Sequence, residues 1–395
     1  MAGSSPGSRR GAIAVAVAIL VGGLSACSSS ASSSSAGQVS SSKTVTIGEL
    51  ADLTGTGAQQ WGIAAHDGAE IAIDQVNSSG VLGNIKLTLD TQDEATTAAN
   101  GVTDYAKLVQ SGVSLMTLVY SPTLNAIGAQ RLQSDGTLFV SPAAGTTVVA
   151  PDHVFLINDP TSPINALADY VGKTKPTSKV GVIYDPSYAA FLAAKTEFND
   201  AYKALSGHDV STQIALTPDQ TDFSSDLTTL RQDGVGAVEL LTTGATGGAI
   251  LRQMQVFGGF SNVIKLGWSA WTSQVYTVAG AAAEGTLFPQ AWIPGAGPEA
   301  ATFDQQYQAK FNSAPDVWSA YGHDVVWLIA AAIAHNQGKA DNGKTLGPLI
   351  PAASTSTIFT QHQLIQGLKI GSNGKPSFTS LLATFDSSGT LAPSN

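Results

Sequence analysis

Residues 44–90 read TVTIGELADLTGTGAQQWGIAAHDGAEIAIDQVNSSGVLGNIKLTLD. β-branched and apolar residues are concentrated at 45–47 and again at 85–90, which predicts a strand at each end. Between these strands, four apolar residues recur at helical spacing: Ala65, Ala69, Ala72 and Val76. Gly80 follows them and predicts the end of the helix. The segment therefore predicts strand, helix and strand, the unit from which parallel sheets are built.

The same alternation continues along the chain. Five further β-rich runs predict strands at 115–119, 138–141, 180–184, 238–241 and 264–268. Helical patterns lie between them, and one places Val102, Ala106 and Val109 on one face before Gly112. Repeated strand and helix predict an α/β protein with mainly parallel sheets and helices on both faces.

Two features indicate more than one domain. The run Asn158-Asp159-Pro160-Thr161-Ser162-Pro163 contains two prolines, which suit a crossing between domains better than a continued strand. After Gly285 we expect a strand through Trp292 and then helices over 298–312 and 318–337. The chain has 395 residues, more than one ordinary hydrophobic core accommodates.

The N-terminus has the pattern of a signal peptide at residues 1–26. Arg9 and Arg10 precede sixteen uncharged residues at 11–26, fewer than the roughly 20 that span a bilayer, although a transmembrane helix remains the alternative. The ending Leu24-Ser25-Ala26-Cys27 resembles the bacterial lipobox, which implies a lipid on Cys27 and attachment to the outer face of the membrane.

Cys27 is the only cysteine, so a disulfide within the chain is excluded. The alternative for Cys27 is a buried cysteine without a role. The serine-rich stretch that follows predicts a flexible tether over 27–43. The formal net charge of −10 argues against nucleic acid and anionic lipid as partners.

Several short runs resemble catalytic or cofactor-binding motifs but lack the spacing or the neighbouring structure that these motifs require. Residues 338–345 match the phosphate-loop pattern, but they follow a helix rather than a strand and predict a surface loop that ends it. Gly55-Thr56-Gly57 lacks the third glycine of a dinucleotide fingerprint. Ser269 lies in a sequence one glycine short of a hydrolase elbow, and no acid or histidine can be assigned to it. The six histidines have no paired metal spacing. We therefore expect no catalytic residues, metal or cofactor.

The loops after the predicted strands carry many aromatic residues. In open parallel sheets, ligands bind beyond the carboxyl ends of the strands. Five aromatic residues lie in such loops: Trp61, Tyr120, Tyr188, Trp268 and Trp271. Together with nearby hydroxyls they predict a small-molecule pocket. The alternative is that they only cover the core at the strand ends.

The order of several short runs resembles the type I periplasmic binding proteins, and most closely their branched-chain amino acid group. The resemblance rests on residues 47–55, Trp61-Gly62 and 68–73, and then on Ser141-Pro142-Ala143-Ala144, 221–223, 251–253 and 320–324. It covers most of 44–337 and fades towards the C-terminus.

This resemblance implies two Rossmann-like lobes joined by a three-stranded hinge. The lobes would comprise 44–160 with about 290–370, and 161–289 with about 371–395. They would close on a small solute and deliver it to an ABC permease outside the cytoplasm. We expect a monomer. The alternatives are an extracytoplasmic sensor domain and, less favoured, an exported hydrolase.

The resemblance also implies site residues. A solute carboxylate would be held by Ser121, Ala143 and the pair Gly145 and Thr146. Trp61 and Tyr188 would supply aromatic walls. Tyr120 and Trp268, which lie in loops after the predicted strands, would add to them.

Relatives that bind amino acids hold the ammonium at positions matching Thr243 and Ser269, and neither is acidic here. We therefore expect a carboxylate, amide or aromatic solute rather than an ordinary free amino acid.

Overall fold

The computed structural model describes residues 43–159, 163–339 and 342–394. The predicted signal peptide, Cys27 and nearly all of the tether lie outside these residues.

The described residues alternate strands and helices. The strands are β1 Lys43–Ala51, β2 Ile85–Asp93, β3 Leu115–Leu118, β4 Leu138–Ser141, β5 Val154–Leu156, β6 Val180–Tyr184, β7 Thr212–Ala215, β8 Ala237–Leu241, β9 Ile264–Gly267, β10 Phe288–Gln290, β11 Lys369–Ile370, β12 Pro376–Ser377, β13 Leu381–Phe385 and β14 Leu391–Pro393. The helices are α1 Ile63–Ser79, α2 Ala98–Gln110, α3 Ser121–Ile127, α4 Ala129–Asp135, α5 Ile164–Thr174, α6 Ala189–Ser206, α7 Ser224–Asp233, α8 Gly244–Phe257, α9 Gln274–Ala279, α10 Ala300–Phe311, α11 Val317–His335, α12 Gly343–Leu346, α13 Ile350–Ala353 and α14 Thr357–Thr360. A π-helical turn, Ala58–Gly62, precedes α1.

Two parallel sheets organise the chain. The first sheet has the order β2-β1-β3-β4-β5, and the second has the order β7-β6-β8-β9. All pairs within both sheets are parallel, with Ile47 opposite Leu115 in the first and Val182 opposite Glu239 in the second. The predicted α/β class with mainly parallel sheets is confirmed.

Each sheet has its own large core, and the C-terminal half of the chain contributes to both. α10 and α11 add Phe303 and Trp327 to the core beside the first sheet. β10 and β13 pair antiparallel and add Phe288 and Phe385 to the core beside the second. The chain therefore returns to the first core and then to the second after it has completed both parallel sheets.

α11 is the central helix of the first core. Among the described residues it alone is long and apolar enough to cross a membrane, and all but its last residues are buried within the protein. It packs closely on α1, because Gly322 and Gly68 leave room for the backbones of Ala65 and Ser319. Asp316 begins the helix with a capping box: its carboxylate accepts from the Trp318 and Ser319 amides.

The helical pattern predicted before Gly112 forms α2, and its Val102 and Val109 are partly buried against a core. The face of α2 buried most deeply carries Tyr105 and Leu108, and the predicted stripe of Val102, Ala106 and Val109 lies beside it. Tyr105 determines this orientation because its ring stacks on Phe139 at 6.1 Å and its hydroxyl bonds to Thr137.

The phosphate-loop match does not form one continuous surface loop. α11 ends at His335 and Gly338 is in the left-handed region, as a loop after a helix requires. Gly343, however, is buried and begins α12, where a Cβ would meet the Leu138 amide. The position of Gly343 against β4 explains why glycine is needed there without any phosphate.

Candidate functional site

A cleft of about 710 Å³ lies where the loops of the two sheets face each other. We call the residues contributed beside the first sheet the first wall: Gln60, Trp61, Val119, Tyr120, Ser121, Pro122, Ala144 and Trp318. Those contributed beside the second sheet form the second wall: Tyr188, Ala190, Phe191, Thr243, Gly244, Trp268, Ala270, Trp271, Thr272 and Gln274.

Six of the ten residues predicted to bind ligand line this cleft. They are Trp61, Tyr120, Ser121, Tyr188, Thr243 and Trp268. The other four, Ala143, Gly145, Thr146 and Ser269, do not line it. The cleft lies beyond the carboxyl ends of the parallel strands, as predicted for a ligand site, because the loops that contribute to it follow β1, β3, β6, β8 and β9.

Aromatic side chains form both walls. On the first wall, Trp61 and Trp318 lie with ring centroids 6.3 Å apart. On the second, Phe191 contacts Tyr188 at 5.2 Å and meets Trp268 edge-on at 5.0 Å. These contacts hold the rings in fixed orientations, so the apolar surface is largely formed before any ligand arrives.

Trp61 is oriented by a buried acid. Its indole Nε1 donates to Asp52 Oδ2, and the other carboxylate oxygen accepts from the Thr96 amide at 2.7 Å. The Trp61 ring also covers Gly57, where a Cβ would lie 2.5 Å from it. Trp61 itself lies in the π-helical turn, and such turns occur frequently at functional sites.

A second acid, Glu94, lies fully buried beside Asp52. Burial raises the pKa of Glu94 to about 8, a hydrogen bond from Thr123 opposes the rise, and the charge of Asp52 adds to it. Glu94 is therefore mostly protonated at neutral pH. Burial, followed by the charges of Asp52 and Glu94, also raises the pKa of Tyr120 in the cleft.

Ala143 does not reach the cleft because it is fully buried. Its amide donates to Ser141 Oγ at 3.0 Å, and that hydroxyl in turn donates to the Leu118 carbonyl. The N–H predicted to hold a carboxylate is therefore used within the protein.

Gly145 and Thr146 do not line the cleft either. The Thr146 hydroxyl donates to Asn125 Oδ1 at 2.8 Å, and the Thr147 amide bonds to the same oxygen. Gly145 has a φ of 72° and approaches the second wall so closely that a Cβ would lie 2.8 Å from the Ala190 amide nitrogen. The Thr146 hydroxyl, which was predicted to replace the one missing at Gly145, is therefore engaged within the protein.

On the second wall, Thr243 caps α8, with its Oγ1 accepting from the Thr246 amide at 3.4 Å. Ser269 is nearly buried behind the lining, and within the described residues it makes no hydrogen bond to a histidine or a carboxylate. No group of three or more His, Cys, Asp or Glu in that part of the chain could hold a metal ion.

Sequence reasoning missed several lining residues, among them Gln60, Phe191, Gln274 and Trp318. Trp318 had a detectable signal, since Asp316 and Ser319 have the spacing of a helix cap at the start of α11. Phe191 and Gln274 lie in the first turns of α6 and α9, just beyond the loops that follow β6 and β9.

The model of the periplasmic binding protein family matches residues 44–367. The chain is a periplasmic binding protein. The Leu/Ile/Val-binding protein homolog 3 of Brucella melitensis is 28% identical over 297 residues, which cover 73% of this chain and 78% of that protein. The resemblance to the branched-chain amino acid group of type I periplasmic binding proteins is thereby confirmed.

Solved structures share the fold of this periplasmic binding protein. The leucine-binding protein LivK of Thermotoga maritima has a TM-score of 0.76 at 21% identity, covering 89% of this chain and 98% of that one. A solute-binding protein from R. palustris, solved with benzoate, has a TM-score of 0.74 at 20% identity, covering 89% and 95%. The family consists of extracytoplasmic solute-binding proteins, so a solute-binding role follows for this chain.

Proposed function

We propose that this periplasmic binding protein is anchored by a lipid on Cys27, captures a small solute and delivers it to an ABC permease. The observation that carries the proposal is the aromatic cleft of about 710 Å³ between the loops of two parallel sheets. The apolar walls of the cleft, with a few polar groups, are what a small-molecule ligand requires.

Closure of the two lobes would enclose the solute. We take the lobes as 44–160 with about 290–370, and 161–289 with about 371–395. The close approach of Gly145 to Ala190 across the cleft supports this movement, because only glycine allows the two walls to meet there. Hinge closure of this kind needs no chemical step.

A thermal-shift screen of the full-length protein in detergent tests solute capture. The panel contains amino acids, organic acids, amides and aromatic compounds. A ligand present at 100 times its dissociation constant adds about 2.7 kcal/mol to the free energy of unfolding. A Trp61→Ala variant serves as the control and should lose the shift. Absence of any shift across the panel would contradict solute capture.

The anchor is tested separately by cell fractionation and lipid labelling. We expect the native protein to take up labelled lipid and Cys27→Ser to take up none, while Ser28→Ala behaves like the native protein. Undiminished labelling of Cys27→Ser would refute the anchor without affecting the claim of solute capture.

A further inference from the structure

We propose that the cleft selects an uncharged solute with a flat apolar body and a carboxamide-like group, rather than an amino acid or a carboxylate. The inference rests on the proposed function of solute capture. It concerns which chemical class this site takes.

The polar groups aimed into the cleft are neutral. Gln60 on the first wall and Gln274 on the second each present a carboxamide, and Ser121 adds a hydroxyl. Within the described residues, the side chains of all three make no hydrogen bond, so they are available to a ligand. A carboxamide both donates and accepts, and it is matched best by a ligand group that does the same.

The lining contains no charged side chain among the residues that the structure describes. An ammonium group entering the cleft would lose its water without gaining a counter-ion. Asp52 and Glu94 do not serve as one, since both are buried and neither lines the cleft; Asp52 bonds to the Trp61 indole, and Glu94 to the Thr123 hydroxyl.

A carboxylate is disfavoured for different reasons. Two of the groups that would hold it are used within the protein, the Ala143 amide by Ser141 and the Thr146 hydroxyl by Asn125. Among the residues that the structure describes, the lining also offers no cation that would balance a carboxylate removed from water. A neutral solute needs neither a counter-ion for an ammonium group nor a site for a carboxylate, and its apolar body can still contact the aromatic walls of the cleft.

Calorimetry with a charge series on one skeleton tests this inference. The probes are 3-phenylpropanamide, 3-phenylpropanoate, 3-phenylpropan-1-amine and phenylalanine, together with leucine, each titrated into the full-length protein in detergent. We expect the amide to bind at least about tenfold more tightly than any charged member of the series.

The outcomes separate this inference from the proposed function. Binding of leucine, phenylalanine or the carboxylate as tight as that of the amide overturns the neutral-solute claim and leaves solute capture standing. Failure of the whole series to bind also overturns it, whereas solute capture itself is judged by the wider thermal-shift screen.

Variants at the two cleft glutamines test which side chains make the protein prefer the amide over the carboxylate. Gln274→Leu and Gln60→Leu remove the carboxamides at similar volume, and each should weaken amide binding about tenfold while changing carboxylate binding little. Gln59→Leu is the matched control, since Gln59 is exposed in the same turn and does not line the cleft. An unchanged ratio of amide to carboxylate affinity in both cleft variants would contradict the assignment.

Discussion

Glu239 lies in the middle of β8, and both of its carboxyl oxygens are buried without a hydrogen-bond partner. Its neighbours across the second sheet are Val182 and Leu266. Burial raises the pKa of this carboxyl well above 4.5, so the folded protein keeps a proton that the unfolded chain releases. Such a group costs stability because its polar atoms lose water and gain nothing in return.

Replacing Glu239 tests this cost. Because the folded state binds the extra proton, the free energy of unfolding of the native protein should fall as pH rises above about 4.5. Glu239→Met should be more stable by about 1–3 kcal/mol at neutral pH, and its advantage should grow towards pH 8. Urea denaturation at pH 5 and pH 8 measures this, and an equal difference at both values would contradict it.

Gly145 is the residue at which cleft closure can be tested. Gly145 and Gly234 both have a φ of 72°, but a Cβ at Gly234 meets nothing within 4 Å, whereas one at Gly145 meets Ala190. Alanine at either position should cost about 1–2 kcal/mol of stability for the left-handed backbone. Only Gly145→Ala should also weaken solute binding, by roughly tenfold, because it opposes closure. Equal solute affinities in the two variants, measured by calorimetry, would count against the closure contact.

At the scale of elements, the packing of α1 on α11 depends on two glycines. A Cβ at Gly322 would lie 1.9 Å from the Ala65 carbonyl oxygen, and one at Gly68 would lie 1.9 Å from that of Ser319. Side chains at these positions would separate the helices and expose the face that covers the first sheet. The close approach also fixes where Trp318 enters the cleft, because that residue lies in the first turn of α11.

Alanine substitutions distinguish this packing from ordinary helix propensity. Gly322→Ala should destabilise the protein by at least about 2 kcal/mol, since backbone must move to admit the methyl group. Gly172→Ala, within α5, is the matched control: its Cβ meets only the Leu205 side chain, at 3.5 Å. This control should gain about 0.5–1 kcal/mol from helix propensity. Chemical denaturation measures both, and a loss at Gly172 equal to that at Gly322 would remove the packing argument.

At the scale of the whole molecule, the end of the chain completes a core begun more than 200 residues earlier. Phe385 on β13 is buried against Phe288, at 5.0 Å, and lies in one core with Ile164 and Val180. The C-terminal segment is therefore part of the second core rather than a peripheral tail.

Truncating the Phe385 side chain should destabilise the whole protein. Phe385→Ala should lower the free energy of unfolding by about 3–5 kcal/mol, as expected for a buried aromatic ring. Leu391→Ala, at a partly exposed position on β14, should cost clearly less. Thermal unfolding of both variants checks this, and similar melting temperatures would show that the second core does not need β13.

The sequence by itself determined the α/β class and most strands of the two parallel sheets, because central strands are buried on both faces and read as continuous apolar runs. Leu138–Ser141 and Val180–Tyr184 were predicted with their observed bounds. The edge strands β5 and β7 were missed, because Val154–Leu156 is short and Thr212–Ala215 alternates buried and exposed residues.

The tertiary structure alone decided which side chains face the cleft. Trp61, Tyr120 and Tyr188 were predictable because they follow strands, but Trp318 reaches the same cleft from a helix that is distant in sequence. The hydrogen bonds that engage Ala143 and Thr146 also depend on partners in neighbouring elements, Ser141 and Asn125. A local pattern records propensity and burial, whereas the direction of a hydroxyl or an amide depends on what the folded chain places beside it.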